Sequence, residues 1–222
     1  MIFGPYAIIF FLLFFLGILF LFAFIHIGII TIAFEKIGLS PTQVFGFLLL
    51  SLFGSSINIP IKRIETRITE IPHVIRFYGV TYRIPNALPG HTIIAVNLGG
   101  AVVPVFLSLY LMLKWGLFLE PLLGVVLVST VTYFLARPIP GLGIGLPVFI
   151  PPILAALAAV LISTGSHAPV VAYISGTVGT LIGADILHLK DVHRLNAPMA
   201  SIGGAGTFDG IFLTGIIAVL LA

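Results

Sequence analysis

Cysteine is missing altogether from the 222 residues, which excludes a disulfide framework, a thiolate metal site and a cysteine nucleophile. Charge is nearly as scarce: Asp, Glu, Lys and Arg together make up 8% of the chain, against about 25% in an ordinary soluble domain. That deficit argues against an aqueous globular protein. The formal charge of +3 comes from so few groups that it speaks to membrane orientation, and a nucleic-acid partner is set aside. Apolar residues fill the space: 59% of the chain is hydrophobic and the mean hydropathy is +1.26. At about 20 residues per transmembrane helix there is room for about six or seven spans. The runs also lack the alternation of barrel strands. The expected fold is an all-α membrane protein, a polytopic bundle of about seven transmembrane helices in the lipid bilayer, forming a single integral membrane domain.

The first span is read in Ile2–Phe34, where His26 is the only group that ionises near neutral pH. The run is longer than a signal-peptide core and lacks a basic start and a cleavage site. Val44–Ile57, Thr92–Leu113, Leu117–Leu135, Leu146–Ser163, Ala168–Leu189 and Met199–Ala222 complete the set. A polar insert, residues 58–91, separates spans two and three. Its KRIETRITEI and VIRFYGVTYRI stretches mix charges with β-branched and aromatic residues, and Pro60, Pro72, Pro85 and Pro89 punctuate them. This favours two strands, Ile61–Ile71 and Val74–Ile84, paired as a small cytoplasmic hairpin-like unit. A short amphipathic helix over the first half is the competing local reading. With seven spans, Lys62, Arg63, Arg67, Arg76, Arg83, Arg137, Lys190 and Arg194 fall on one side, and only Lys36 and Lys114 on the other. The positive-inside rule then puts the N-terminus and the insert in the cytoplasm and the C-terminus outside.

Ionisable groups at bilayer depth are costly and therefore informative. Two aspartates qualify: Asp185 in VGTLIGADILHL and Asp209 in SIGGAGTFDGIFLTG. Their spans are consecutive and antiparallel, with each aspartate about twelve residues from the turn near Asn196 or Ala197, so the two can face each other at similar depth. Two neighbouring carboxylates share a proton, leaving one as a base and the other as an acid. Gly176, Gly179 and Gly183 precede Asp185, and Gly203, Gly204, Gly206 and Gly210 surround Asp209. Small residues let helix backbones approach each other or a bound peptide, although plain helix packing uses them in the same way. His188, at i+3 from Asp185, is placed to tune its protonation through a hydrogen bond. A rival metal reading would add Asp191 and His193; no metal ligand is assigned. Asn97, followed by Leu98-Gly99-Gly100 and Pro104, suits either a broken helix lining a transport site or a bent packing helix.

At Asp185 and Gly204-Ala205-Gly206-Thr207-Phe208-Asp209 the chain resembles the GxGD-type intramembrane aspartyl proteases, the group of presenilin, signal peptide peptidase and prepilin peptidase. The resemblance covers about residues 170–215 and implies that Asp185 and Asp209 are the first and second catalytic aspartates. It departs from the pattern in three ways: two residues are inserted before the second acid, Ala184 stands where a tyrosine often precedes the first, and no Pro-Ala-Leu motif follows Asp209. The stretch from Pro147 to Pro151-Pro152 would be an analogous substrate-binding element. Over most of the membrane region the sequence is similar to an uncharacterised prokaryotic multi-pass family, marked by GADxLH and GGAGTFDGIFLTG. That similarity implies a prokaryotic cell membrane and brings no activity with it. HExxH is absent, as is a Gly-x-Ser-Gly with a partner histidine, so zinc and serine intramembrane proteases are unsupported.

Three functions remain in view. The first is an intramembrane aspartyl hydrolase, an endopeptidase acting on a membrane-inserted peptide or protein substrate and needing no cofactor. The second is a proton- or cation-coupled transporter or channel that uses the same aspartates. The third is a non-catalytic membrane scaffold whose polar insert binds a partner.

Overall fold

The computed structural model describes residues 15–18, 27–65, 74–77, 80–83, 90–139, 143–163, 166–195, 197–204 and 210–222. Helices α1 (Ile27–Lys36) and α2 (Pro41–Gly54) meet at 115°. Gly38, with φ of 85°, supplies the left-handed residue that the turn requires. Ser40 and Gln43 then close a capping box on α2, with Pro41 in its first turn, where a missing N–H costs nothing. The end of α3 (Val103–Trp115) pins this corner: the Trp115 indole N–H donates to the Ile37 carbonyl at 3.1 Å, and the Lys114 ammonium donates to that of Gly38.

The remaining helices are α4 (Leu119–Leu135), α5 (Ile150–Ile162), α6 (Ala168–Thr180) and α7 (Gly210–Leu221). Helix α6 is the centre, with every residue from Val170 to Thr177 buried, and it packs on α4, α5 and α7. Small residues make this possible. Gly179 lies against Val128, Gly176 against Ala155 and Thr214, and Gly215 against Tyr173 and Thr177, so the helix axes draw close and dispersion contacts accumulate. The outer faces are apolar and open, as at Leu113 (73% exposed), Phe134 (72%) and Leu161 (84%). An apolar exterior this extensive marks contact with lipid or a partner.

One end of the bundle carries a three-stranded sheet of β1 (Asn58–Glu65), β4 (His91–Asn97) and β7 (Met199–Ile202), in the order β1-β4-β7. β1 and β4 are antiparallel, with a register shift between Pro60 and Lys62, where proline offers no N–H to the ladder. β4 and β7 are parallel. A 3-10 segment, Leu189–Arg194, covers one face of the sheet, with Val192 and Leu195 packed on Ile94. Two hairpins complete the described strands: β2 (Val74–Phe77) with β3 (Val80–Arg83), and β5 (Arg137–Ile139) with β6 (Gly143–Gly145).

The expected all-α bundle of seven transmembrane helices is corrected by this architecture. Among the described residues, Leu98–Trp115 and Ala168–Ile186 are long and apolar enough to cross a membrane, and the bent α1–α2 pair makes a third if it counts as one span. Helices α4, α5 and α7 have 17, 13 and 12 residues, about 26, 20 and 18 Å at 1.5 Å per residue, short of the ~30 Å hydrocarbon layer. Thr92–Leu113 opens as a strand, because HTIIAVN is β4, and is helical only from Leu98. Met199–Ala222 opens on β7, and its described helix starts at Gly210. Leu146–Ser163 turns helical only at Ile150. Val44–Ile57 belongs to the arm bent away from α1, and Ile2–Phe34 lies largely outside the described residues. Hydropathy sums cannot separate a buried strand from a helix. The insert is corrected too. β1 ends at Glu65 and pairs with β4, while the second segment folds on itself as β2 and β3; residues 66–73 lie outside the described set.

Candidate functional site

After Thr180 the central helix continues as a π-helical turn, Leu181–Ile186, a widened geometry that often serves functional positions. Gly183 in this turn lies against the Ser129 carbonyl and the Thr132 hydroxyl of α4, with no room for a Cβ. The turn carries Asp185 outward from the bundle, and its Oδ2 accepts from the Gly203 N–H at 2.7 Å. Gly203 has a φ of 89° and touches the backbone of Gly100 and Ala101, while Gly99 touches that of Ser51 and Gly54. Three segments therefore meet backbone to backbone beside Asp185. Asn97, fully buried, binds this junction together. Its Nδ2 donates to the Ser55 carbonyl at 2.7 Å and to Asn58 Oδ1 at 3.1 Å, and its Oδ1 accepts from the Gly100 N–H at 2.7 Å.

Asp185 opens onto a cavity of about 240 Å³ that also touches Met199, Ala200, Ser201 and Ile202. Successive strand residues point to opposite faces, so a cavity that touches four in a row runs along the edge of β7. β4 occupies the opposite edge. Leu189, Val192 and Leu195, and Gly143 and Ile144 of β6, also line it. The Ser201 hydroxyl is committed to Asn58 Oδ1 at 2.6 Å.

His188 holds the π turn from the other side. It is buried, its Nδ1 is 3.0 Å from the Gly183 carbonyl, and its backbone N–H donates to the Asp185 carbonyl at 3.2 Å. Its ring lies 4.8 Å from that of Tyr133. The Tyr133 hydroxyl in turn accepts from Lys190 at 2.7 Å. That hydrogen bond, and next the charge interaction with Tyr133, push the Lys190 ammonium above the ordinary lysine pKa.

A family model described as a protein of unknown function, DUF1614, matches residues 52–221. The chain belongs to the DUF1614 family. No curated protein and no solved structure matches it. The similarity to an uncharacterised family thus stands, and the comparisons return no aspartyl protease. The match contains β1, β4, β7 and the Asp185 turn, so the site belongs to the DUF1614 region and not to the α1 arm before it.

The site residues singled out from sequence all lie within this DUF1614 region. Asp185 and Gly204 line the cavity; Gly183 and His188 support the turn from behind. Asn97 sits in the backbone junction. Gly210 is the first residue of α7, exposed, its carbonyl accepting from Thr214 Oγ1 at 2.6 Å, and Pro147 lies half-buried in the connection before α5, outside the cavity lining. Gly206 and Asp209 fall outside the described residues, and so does the pairing of Asp185 with Asp209. Asp191 forms an ion pair with Arg194 at 3.7 Å, and exposed His193 turns its Nδ1 to the Lys190 carbonyl at 2.8 Å. Among the described residues no group of three or more His, Cys, Asp or Glu is placed to hold a metal ion. Sequence reasoning passed over Leu189, Val192 and Leu195. The available signal was their spacing of three, the period at which 3-10 side chains eclipse.

Proposed function

We propose that this DUF1614 chain is a membrane-bound aspartyl hydrolase that cuts peptide bonds of membrane-inserted segments, with Asp185 and Asp209 as its two carboxylates. The observation that carries the reading is the position of Asp185 on a cavity lined also by all four residues of β7, which among the described strands pairs with β4 alone. A membrane helix hides its carbonyls in its own hydrogen bonds, so a substrate must be drawn out before water can attack. A strand beside the carboxylate is a place where such an extended segment can find main-chain partners. One carboxylate would take a proton from water as the oxygen adds to the carbonyl carbon. The other, protonated, would hand its proton to the amide nitrogen as the C–N bond breaks. Asp209 enters from the sequence, as the residue just before α7. The sheet end carries Lys62, Arg63, Lys190 and Arg194, and the positive-inside rule makes it cytoplasmic.

The test is cleavage of labelled transmembrane peptides by purified wild-type protein, Asp185→Asn and Asp209→Asn. Each substitution is expected to lower the rate by about 10²- to 10⁴-fold, the usual contribution of a general acid or base. Asparagine at 185 retains an oxygen for the Gly203 N–H, so the fold should persist. Cleavage that survives either substitution removes the dyad.

A further inference from the structure

We infer that the outer face of α4 is fitted to a lipid bilayer thinner than an ordinary one, and that the protein thins the membrane around itself. The inference rests on the membrane-bound part of the reading above and not on the chemistry at Asp185, so it stands or falls apart from peptide cleavage. Its ground is the pattern of residues along α4, whose two ends are both described. Between them Leu122, Leu123, Val126, Leu127 and Phe134 are exposed and apolar. Thr130 is exposed on the same helix, and its hydroxyl donates to the Val126 carbonyl at 2.7 Å, as a hydroxyl is satisfied where water is missing. Each end of this face carries an aromatic ring paired with a cation. At the end away from the sheet, the Lys114 ammonium lies 5.6 Å from the centre of the Trp115 ring. At the sheet end the Lys190 ammonium lies 5.0 Å from the centre of the Tyr133 ring, and exposed Arg137 follows just past the helix. Amphipathic aromatics with lysine and arginine sit at headgroup level on both sides of a membrane, whereas protein interfaces are poor in lysine. Lipid is the covering that this pattern fits.

The height of the face follows from the helix. α4 has 17 residues, about 26 Å at 1.5 Å per residue, a separation reached only when the helix stands along the membrane normal. A tilt of about 20°, the average for membrane helices, brings it down to about 24 Å. α4 cannot slide outward to meet a thicker layer, because it is fixed against the central helix along its length: Gly124 lies against Ser175, Gly179 against Val128, and Gly183 against Ser129 and Thr132. That central segment, Ala168–Ile186, has 19 residues, about 29 Å when fully upright. An ordinary hydrocarbon core is about 30 Å thick, so the lipid chains beside α4 must shorten by about 4 to 6 Å or submerge the cations at its ends. Holding a cation in hydrocarbon costs more than compressing the layer by that amount, and the lipid gives way.

The experiment places the full-length protein in phosphatidylcholine vesicles whose monounsaturated acyl chains run from 14 to 22 carbons, and follows thermal unfolding by the loss of helical circular dichroism. The midpoint should be highest with the shortest chains and lower by at least about 5 °C with the longest. A midpoint that is level across the series, or that rises with chain length, overturns the inference. Trp115 is the only tryptophan of the chain, so its fluorescence reports the depth of one rim. A nitroxide on the lipid headgroup should quench it more than a nitroxide at the twelfth acyl carbon, and the reverse order overturns the inference. Val126→Lys puts a charge in the middle of the face and should lower the fraction of protein that enters vesicles at least about tenfold. Entry equal to wild type means that the face does not meet lipid, and wild-type protein that stays out of vesicles and pairs with itself hands the face to a second copy; either result overturns the inference. If Val126→Lys also unfolds in detergent, the wild-type chain-length series decides. Peptide cleavage in the same vesicles bears on the hydrolase alone.

Discussion

The central helix has two halves built on opposite plans. From Val170 to Thr177 it is regular α-helix, buried on all sides and tightened against its neighbours by Gly176 and Gly179. From Leu181 to Ile186 it widens into a π turn, held by Gly183 against α4 and by His188 beneath, and it ends beside open space with Asp185. The first half maximises packing. The second gives up regular hydrogen-bond spacing to aim one carboxylate, and needs outside supports to keep that geometry. A position of the same residue type should therefore respond differently in the two halves.

Gly183→Ala should give the largest effect. The new methyl group would overlap the Ser129 carbonyl and the Thr132 hydroxyl, and backbone cannot move aside cheaply, so a loss of about 3 kcal/mol or more is expected, read by thermal unfolding in detergent. Gly176→Ala in the regular half should change stability by less than about 1 kcal/mol. Its nearest neighbours are side-chain methyls at 3.1 and 3.3 Å, and the crowding is offset by the helix propensity that alanine gains. Equal losses at the two positions would erase the distinction between the halves.

His188→Ala removes the contact to the Gly183 carbonyl and the packing on Tyr133. It should cost about 2 kcal/mol, the sum of a buried hydrogen bond and lost ring contact, and slow peptide cleavage more than Gly176→Ala does. His188→Asn restores a donor and should recover part of the rate. A cleavage rate unchanged in both variants would detach the support from the carboxylate.

The smallest effect is expected from Tyr133→Phe. Lys190 loses its hydrogen bond, and its pKa should fall back toward the ordinary lysine value, followed by NMR titration of labelled lysine. Because the folded-state pKa is raised, this contact stabilises the fold fully below the unfolded lysine pKa and its contribution disappears as pH climbs through the higher folded value. The variant and wild type should therefore differ least in strongly alkaline solution. Screening at so exposed a group keeps the difference small near neutrality.

Much of this was legible in the residues. Ser40, Pro41 and Gln43 announce a helix start, and Asp185 stands out as an acid at the end of an apolar run. The insert's β-branched stretches foretold strands. What misled was treating every apolar run as a helix: the apolar residues of HTIIAVN and MASI belong to neighbouring strands of one sheet. Their pairing links residues about a hundred positions apart, as in Ile93 with Met199, and no local pattern encodes that. Nor could spacing alone predict that Asn97 would be spent on a backbone junction, or that β6 would line the cavity.

The chain's chemistry follows from its composition alone: an apolar body, sparse charge, no thiol and few acids. These are additive properties, a sum over side chains whatever their neighbours. Tertiary structure decided which apolar stretches lie down as strands, where the helix widens, and which strand comes to lie beside Asp185. Those outcomes depend on partners brought together from distant parts of the chain, because a backbone hydrogen bond or a glycine contact exists only once both sides are in place.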